Sequence, residues 1–432
     1  MKKKIIKQNI LLIVLFIFQP LLWLIFGIAE IANNKRLAYI QLAILLGMFG
    51  YVLFPWGDGF ERYKFFTKIG SMDYEEFLSF LFFQVDYFFY ILSYIFNYFN
   101  LEYQYIQFFF VVSGYLLVFS LFRKNTLSCN VKLRILLFLL LMCLISFLAL
   151  ANNLRYALAT IVFLYGIYDV IKYDKVVRGY IFIFLSFSIH FYTILLFTIF
   201  YLSKIFFYKI NSKTLILLFK LSFLIGFVNI FLIQEIARFI IAGNEGVLFH
   251  KIASYILGSD GTITHMISSF PQLIRHIINL LPLVFLIIYF LKYRDWKNDF
   301  LIKLFFIFLS INNLFMYSFS LFLRLEYFVM LLGLFSFISQ YTKIFKYSNL
   351  FLQLFIFTAF IFISMQFIYF KRLIAKDNHD YINSTSVKIV FTSPIFLSTC
   401  KYSDKEIYNG NQNFMILKEE SLKRTMKTIS NN

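Results

Sequence analysis

The sequence predicts an all-α, polytopic integral membrane protein, and three observations carry that prediction. Of 432 residues, 61% are hydrophobic and only 15% charged, against about 25% charged in an ordinary soluble domain. Apolar runs of about 20 residues, the length of a helix that crosses a bilayer, recur from end to end. Those runs do not alternate: LRILLFLLLMCLISFLALA has no polar face every second residue, as a transmembrane barrel strand requires. Backbone groups in hydrocarbon must then bond within their own segment, which leaves helices.

Taken in order, the predicted spans are 10–30, 37–55, 78–99, 104–122, 133–151, 154–171, 179–203, 214–234, 272–291, 301–320, 322–340 and 349–370. This gives about twelve crossings, some broken or re-entrant, around an outward-facing cavity. Residues 1–370 form a single transmembrane domain with an external loop at about 235–270, and 371–432 form a polar C-terminal tail. MKKKIIKQNILLIVLFIF has the charged and apolar parts of a signal peptide without a small-residue cleavage site, so it reads as an uncleaved first span. Internal repeats are not evident, which weighs against a transporter built from two related halves.

The net charge of +19 sits mostly in short loops between spans. Cytoplasmic retention of Lys and Arg accounts for it better than nucleic acid does. The clusters are Arg123, Lys124, Lys132 and Arg134; Lys172, Lys175 and Arg178; Lys204, Lys209 and Lys213; Lys292, Arg294, Lys297 and Lys303; and Lys343 and Lys346. Span 179–203 begins and ends beside such clusters, so a single crossing puts one of them outside. A helix broken near His190 satisfies both, provided the irregular backbone is buried in protein or lines a wet cavity. That arrangement brings Asn152, Asn153, Arg155, Arg275, His276, Arg324, Glu326 and Tyr327 to the outer face. Simple parity places the loop PWGDGFERYKFF inside; a break near Pro20, or a half-crossing in FLSFLFFQVDYFFYILSYIFNYF, moves it outside.

The abundance of Phe (62) and Tyr (30) follows AT-rich codon usage, since Ile, Lys and Asn share it. Three cysteines lie apart, with Cys143 in a span, Cys129 in a basic loop and Cys400 in the tail, and form no disulfide framework or metal cluster. No closely spaced carboxylate pair, His-x-x-x-His or Gly-rich phosphate loop is present, so neither a metal nor a nucleotide cofactor is expected.

Charged groups that abut or enter spans need a reason. A snorkelling side chain explains Lys64 or Lys68. It explains Arg155 less well, one turn into a long apolar helix beside Asn152 and Asn153. His190 reads either as a satisfied core histidine or as a functional one, and Glu326 as the partner of Arg324 or another arginine. As a set, Arg62, Arg155, Arg275 and Arg324 gather on one face with few carboxylates. A guanidinium fork holds phosphate oxygens in bidentate fashion and stays charged. A lipid-linked pyrophosphate matches that chemistry, with the energy for any reaction coming from an activated substrate.

Several stretches, in this order, resemble the EpsG-like, Wzy-type family of bacterial polysaccharide polymerases. They are GDGFERYKFF with Asp58, Tyr63 and Phe65; the acidic-aromatic start Asp86–Tyr87; the Asn152-x-x-Arg155 helix start; and His190 after an apolar run. The resemblance covers about Trp56 to Leu202, and beyond it only Arg324 to Tyr327 is similar. It implies a multi-pass protein of the bacterial inner membrane. Such a protein transfers a growing glycan from undecaprenyl pyrophosphate to a new undecaprenyl-pyrophosphate-linked repeat unit at the periplasmic face. It uses no cofactor and works with a separate chain-length regulator. In that reading Arg155, with Arg62 and Arg324, stabilises the departing pyrophosphate, His190 or Asp58 takes the acceptor proton, and Asn152, Asn153, Tyr156, Arg275, His276 and Tyr327 contact substrate. Two rivals remain: a ligase that moves finished glycan onto a lipid acceptor, and a lipid-linked oligosaccharide flippase.

Overall fold

The computed structural model describes residues 2–207, 210–241, 270–292, 299–315, 319–341, 352–364, 407–408 and 411–412; within these, the side chains of 2–9, 21–22, 227–241, 270–277, 279 and 319–320 lie outside the description. Every element among the described residues is helical. The chain divides into two compact units, residues 1–194, 341–345 and 366–414, and residues 195–340, 346–365 and 415–432.

The first unit begins with α1 (Lys2–Phe18), α2 (Pro20–Ala32) and α3 (Arg36–Tyr51). Pro20 opens α2, where its missing N–H costs nothing, so the predicted span 10–30 is divided in two. A buried polar chain ties these helices: Trp23 Nε1 donates to Gln41 Oε1 at 2.9 Å, and Gln41 Nε2 donates to the Leu12 carbonyl at 3.2 Å. Next come α4 (Asp58–Gly70), α5 (Tyr74–Phe82), α6 (Tyr87–Tyr98) and α7 (Tyr103–Asn125). The predicted span 78–99 is thus also divided, between α5 and α6, because Asp86 is drawn out of the helix into contacts described below. The predicted span 133–151 splits into α8 (Val131–Leu144) and α9 (Phe147–Ala151). Ile145 is extended there, and Ser146 caps the new helix by accepting from Ala149 N–H.

Helix α10 (Leu154–Ile171) is the axis of this unit, buried along nearly its whole length. It packs against α7 and, most closely, against α11 (Val176–Ile189). The α10–α11 approach depends on Gly166 and Gly179: a Cβ at Gly166 would lie 2.7 Å from the Gly179 carbonyl, and one at Gly179 would lie 2.8 Å from the Gly166 carbonyl. Small residues at a crossing of membrane helices let the backbones approach closely.

The predicted break at His190 is present. Helix α11 ends at Ile189, and α12 (Thr193–Leu202) starts three residues beyond His190. Arg134, read from sequence as one of a basic loop cluster, is buried. It donates to the carbonyls of Cys129 (2.7 Å), Thr126 (3.0 Å) and Ala32 (2.5 Å), and so ties the α7–α8 turn to the end of α2.

The second unit contains α13 (Ser212–Ile241), α14 (Phe270–Lys292), α15 (Phe300–Leu314), α16 (Phe319–Tyr341) and α17 (Leu352–Ser364). α13 pairs with α15, and Asn313 Nδ2 donates to Ser222 Oγ at 3.2 Å across that contact. Asp299 caps α15 through Leu301 N–H (2.9 Å) and also accepts from Gln340 on α16. Ring contacts Tyr289–Phe337 and Phe285–Phe355 join α14 to α16 and α17.

Three helices among the described residues are long and apolar enough to cross a membrane: Tyr103–Asn125, Leu154–Ile171 and Leu321–Tyr341. Shorter apolar helices of 10–17 residues accompany them. The protein is membrane-embedded and helical, and among the described residues these three helices are the full-length ones.

Candidate active site

The first unit brings together residues from the loop before α4, from α4, the start of α6, the start of α10 and the α11–α12 break. Gly57 has φ +58, a left-handed conformation that suits glycine, and it turns the chain into α4. Asn152 holds this turn: its Oδ1 accepts from Trp56 N–H at 3.3 Å and lies against Gly59 so closely that a Cβ there has no room. Tyr103 donates to the Gly59 carbonyl at 3.0 Å, and Asn411 of the tail donates to the Pro55 carbonyl at 3.0 Å. Tyr408 packs edge-on against Phe60 and Tyr63.

Asp58 and Arg62 face each other one turn apart on α4, at 3.4 Å. Asp58 is exposed, whereas the Arg62 side chain is only 13% exposed. Burial works against the Arg62 charge, but Asp58, with Tyr90 and Tyr103, more than offsets this and raises its pKa above the usual arginine value. The guanidinium also lies 5.5 Å from the Phe65 ring centre, a cation–π contact.

Arg155 sits in the first turn of α10, its side chain 12% exposed. Its Nη1 donates to Asp86 Oδ2 at 2.5 Å. The charges of Arg62, Asp86 and Asp58 all act on it. Two like-charged arginines therefore share one neighbourhood, and the Nε of each is buried with no hydrogen-bond partner. A buried donor left unmade costs roughly 1–3 kcal/mol. An anion placed between the two side chains would relieve both that cost and the mutual repulsion.

Asp86 is the N-cap residue of α6, yet its carboxylate makes no cap bond to that helix. Besides Arg155, it accepts from Phe191 N–H at 2.9 Å through Oδ1, and the same oxygen lies 3.6 Å from His190 Nδ1. Asp86 and His190 are both buried. His190 is the C-cap residue of α11 in extended backbone, its own N–H bonded to the Ser186 carbonyl, so the helix break itself sets the imidazole against Asp86. Tyr192 N–H also approaches Nδ1, at 3.4 Å.

Of the residues singled out from sequence, Asp58, Arg62, Asn152, Arg155 and His190 thus lie in this unit on connected elements. Asn153 is exposed at the start of α10, and Tyr156 is half-buried one turn on, its carbonyl accepting from Thr160 Oγ1. Arg324 (half-buried) and Tyr327 (buried) lie on α16 in the second unit, where both have interactions of their own. The Arg275 and His276 side chains, the loop at 235–270 and most of the tail lie outside the described residues. Among the described residues, no group of three or more His, Cys, Asp or Glu side chains is placed to hold a metal ion.

Asp86 is what residue-by-residue reading left without a role. Its signal was present: a lone carboxylate in QVDYFFYILSYIF must be paired to be buried. Its partners lie 69 and 105 residues away, beyond the reach of any local pattern.

The EpsG family profile matches residues 35–386. This is most of the chain, well beyond the stretch whose motifs are visible by eye, and the protein belongs to that family. No curated protein and no solved structure matches it. Membership makes it a membrane polysaccharide polymerase in general terms.

Proposed function

We propose that this EpsG-family protein transfers a growing glycan from undecaprenyl pyrophosphate to an undecaprenyl-pyrophosphate-linked repeat unit, on the periplasmic side of a bacterial inner membrane. The observation that carries this reading is the Arg62–Arg155 pair, two largely buried arginines whose like charges act on one another, each with an unpartnered Nε. A diphosphate has the charge and the acceptor oxygens to engage both.

In the reaction the acceptor hydroxyl oxygen forms a bond to the anomeric carbon of the donor. The bond from that carbon to the diphosphate oxygen breaks, and its electron pair leaves with the diphosphate. Negative charge therefore grows on the leaving group in the transition state. Fixed arginines in a water-poor site stabilise that state more than the ground state. The hydroxyl proton passes to His190 or Asp58, a step that typically contributes about 100- to 10,000-fold. Asn153 and Tyr156, at the start of α10, contact the sugars and the second lipid carrier. The surrounding helices, about twelve crossings with an outward-facing cavity, keep the polyprenyl chains in lipid. A separate protein sets chain length.

The test is deletion of the gene followed by a glycan gel. The expected result is loss of the polymer ladder while a single repeat unit still reaches its acceptor. Loss of all attached glycan would instead indicate a ligase. Repeat units held at the cytoplasmic leaflet would indicate a flippase.

A further inference from the structure

We infer that Asp86 is a positioning residue that sets the leaving-group arginine and the proton acceptor at once, through Arg155 and His190; the inference rests on the polymerase reading above. The carboxylate has two oxygens with separate duties. Oδ2 accepts from Arg155 Nη1 at 2.5 Å, and Oδ1 accepts from Phe191 N–H at 2.9 Å and lies 3.6 Å from His190 Nδ1, within electrostatic reach. One side chain thus joins the start of α6, the first turn of α10 and the α11–α12 break.

Nothing about helix formation requires this. As an N-cap, Asp86 would ordinarily turn back onto its own helix, and it makes no such bond. Asp73, the N-cap of α5, does so, accepting from Glu76 N–H at 2.9 Å.

Two consequences follow for the chemistry. Held by Nη1, the Arg155 guanidinium leaves its buried Nε without a hydrogen-bond partner. The carboxylate beside the imidazole, 3.6 Å from Nδ1, stabilises the positive charge that forms when His190 takes the acceptor proton. Asp86 also neutralises part of the charge of the arginine pair. Removing its charge while keeping its shape therefore has opposite effects on binding and on turnover. The diphosphate meets a more positive site, while the base and the arginine lose their alignment.

The experiment uses full-length protein in liposomes, with lipid-linked repeat units extracted from a strain lacking the polymerase as donor and acceptor. For Asp86→Asn the expected result is a fall in kcat of about 100-fold or more, with KM for the lipid-linked repeat unit no higher than that of wild type. A kcat within about threefold of wild type, or a KM that rises in step with the fall in kcat, overturns the inference. If Asp86→Asn does not fold, Asp86→Glu keeps the charge and displaces the oxygens. It is then expected to lose about tenfold or more in kcat at unchanged KM, and wild-type kcat overturns the inference. Failure of wild-type protein to lengthen glycan defeats the polymerase reading itself; normal wild-type extension with an unaffected variant defeats only the role of Asp86.

Discussion

At each end of α10 a buried aspartate pairs with an arginine, and the two pairs are built differently. At the C-terminal end, fully buried Asp169 accepts from Arg178 Nε and Nη2, both at 2.6 Å. Lys124 adds a second cation at 3.7 Å, while donating to Tyr165 OH at 2.9 Å. The guanidinium there uses its fork on one carboxylate. At the N-terminal end, Arg155 gives Asp86 one Nη and keeps a buried Nε unpartnered, with Arg62 close by. The first pair is complete and fastens α11 to α10. The second is incomplete, and incompleteness in a buried charge is costly unless something else arrives to bind it. The same pair of residue types thus serves architecture at one end and, on our reading, ligand capture at the other.

The contrast is broken or sharpened first by truncating the arginines. Arg155→Ala is expected to abolish chain extension, a loss of at least about 1,000-fold in rate, since one preorganised donor to developing charge is worth on the order of 100- to 1,000-fold and Arg155 also contacts Asp86. Arg62→Ala is expected to cost about 10- to 100-fold, because Arg155 remains to hold the diphosphate. Both variants should insert and express; Arg62→Ala, whose partner Asp58 is exposed, should melt close to wild type, whereas Arg155→Ala leaves buried Asp86 without its guanidinium and should melt lower. A full-length ladder from Arg155→Ala on a glycan gel would remove that residue from the mechanism.

Asp169→Asn should show the reverse pattern. It leaves Lys124 and Arg178 beside an amide, but Arg178 is 40% exposed and can turn toward water, so the cost is set at about 1–3 kcal/mol rather than that of a fully buried orphan charge. A lowered melting temperature is expected, with extension per folded molecule within about threefold of wild type. Loss of activity without loss of stability would mean that the two ends of α10 are not functionally distinct.

How much of this contrast was legible in the sequence depends on distance along the chain. Arg155 stood out because a guanidinium in an apolar helix start is costly wherever it sits. The break at His190 followed from basic loops on both sides of one apolar run. Neither argument could find Asp86 as the group they share, because pairing across 69 residues leaves no periodic trace. The helix division at Ile145 was illegible to a hydropathy window, and those at Pro20 and Asp86 were raised only as alternatives to continuous spans, for a related reason. A window averages side chains and is blind to a backbone that turns aside where a carboxylate or hydroxyl finds a partner. Arg134 shows the opposite error: by position it belonged to a solvated basic cluster, and only the fold reveals three carbonyls around it.

A smaller effect is expected where the site is supported rather than formed. Gly59→Ala places a methyl group against Asn152 Oδ1. Either Asn152 lets go of Trp56 N–H or α4 shifts, and both move Asp58 and Arg62. A misplacement of about 1 Å can cost on the order of 100-fold in rate, but a flexible amide absorbs part of the clash, so about 10-fold is expected. Unchanged kinetics in the liposome assay would show that the Asn152 contact does not position α4.

The mildest predicted change lies in the tail. Asn411 donates to the Pro55 carbonyl and also to the Ile407 carbonyl, and is buried in doing so. Asn411→Ala removes one link to the turn that carries Asp58, worth about 1 kcal/mol. The turn keeps its bonds from Asn152 and Tyr103, so extension should fall by no more than about threefold, with a slight loss of melting temperature. The same contact fixes a matter of sidedness. Residues touching Pro55, Phe60 and Tyr63 must share their face of the membrane, so cysteines introduced at exposed Asp58 and exposed Gln412 should react with a membrane-impermeant maleimide from the same side of sealed vesicles. Labelling from opposite sides would show that the tail does not reach the site, and would leave Asn152 and Tyr103 as its supports.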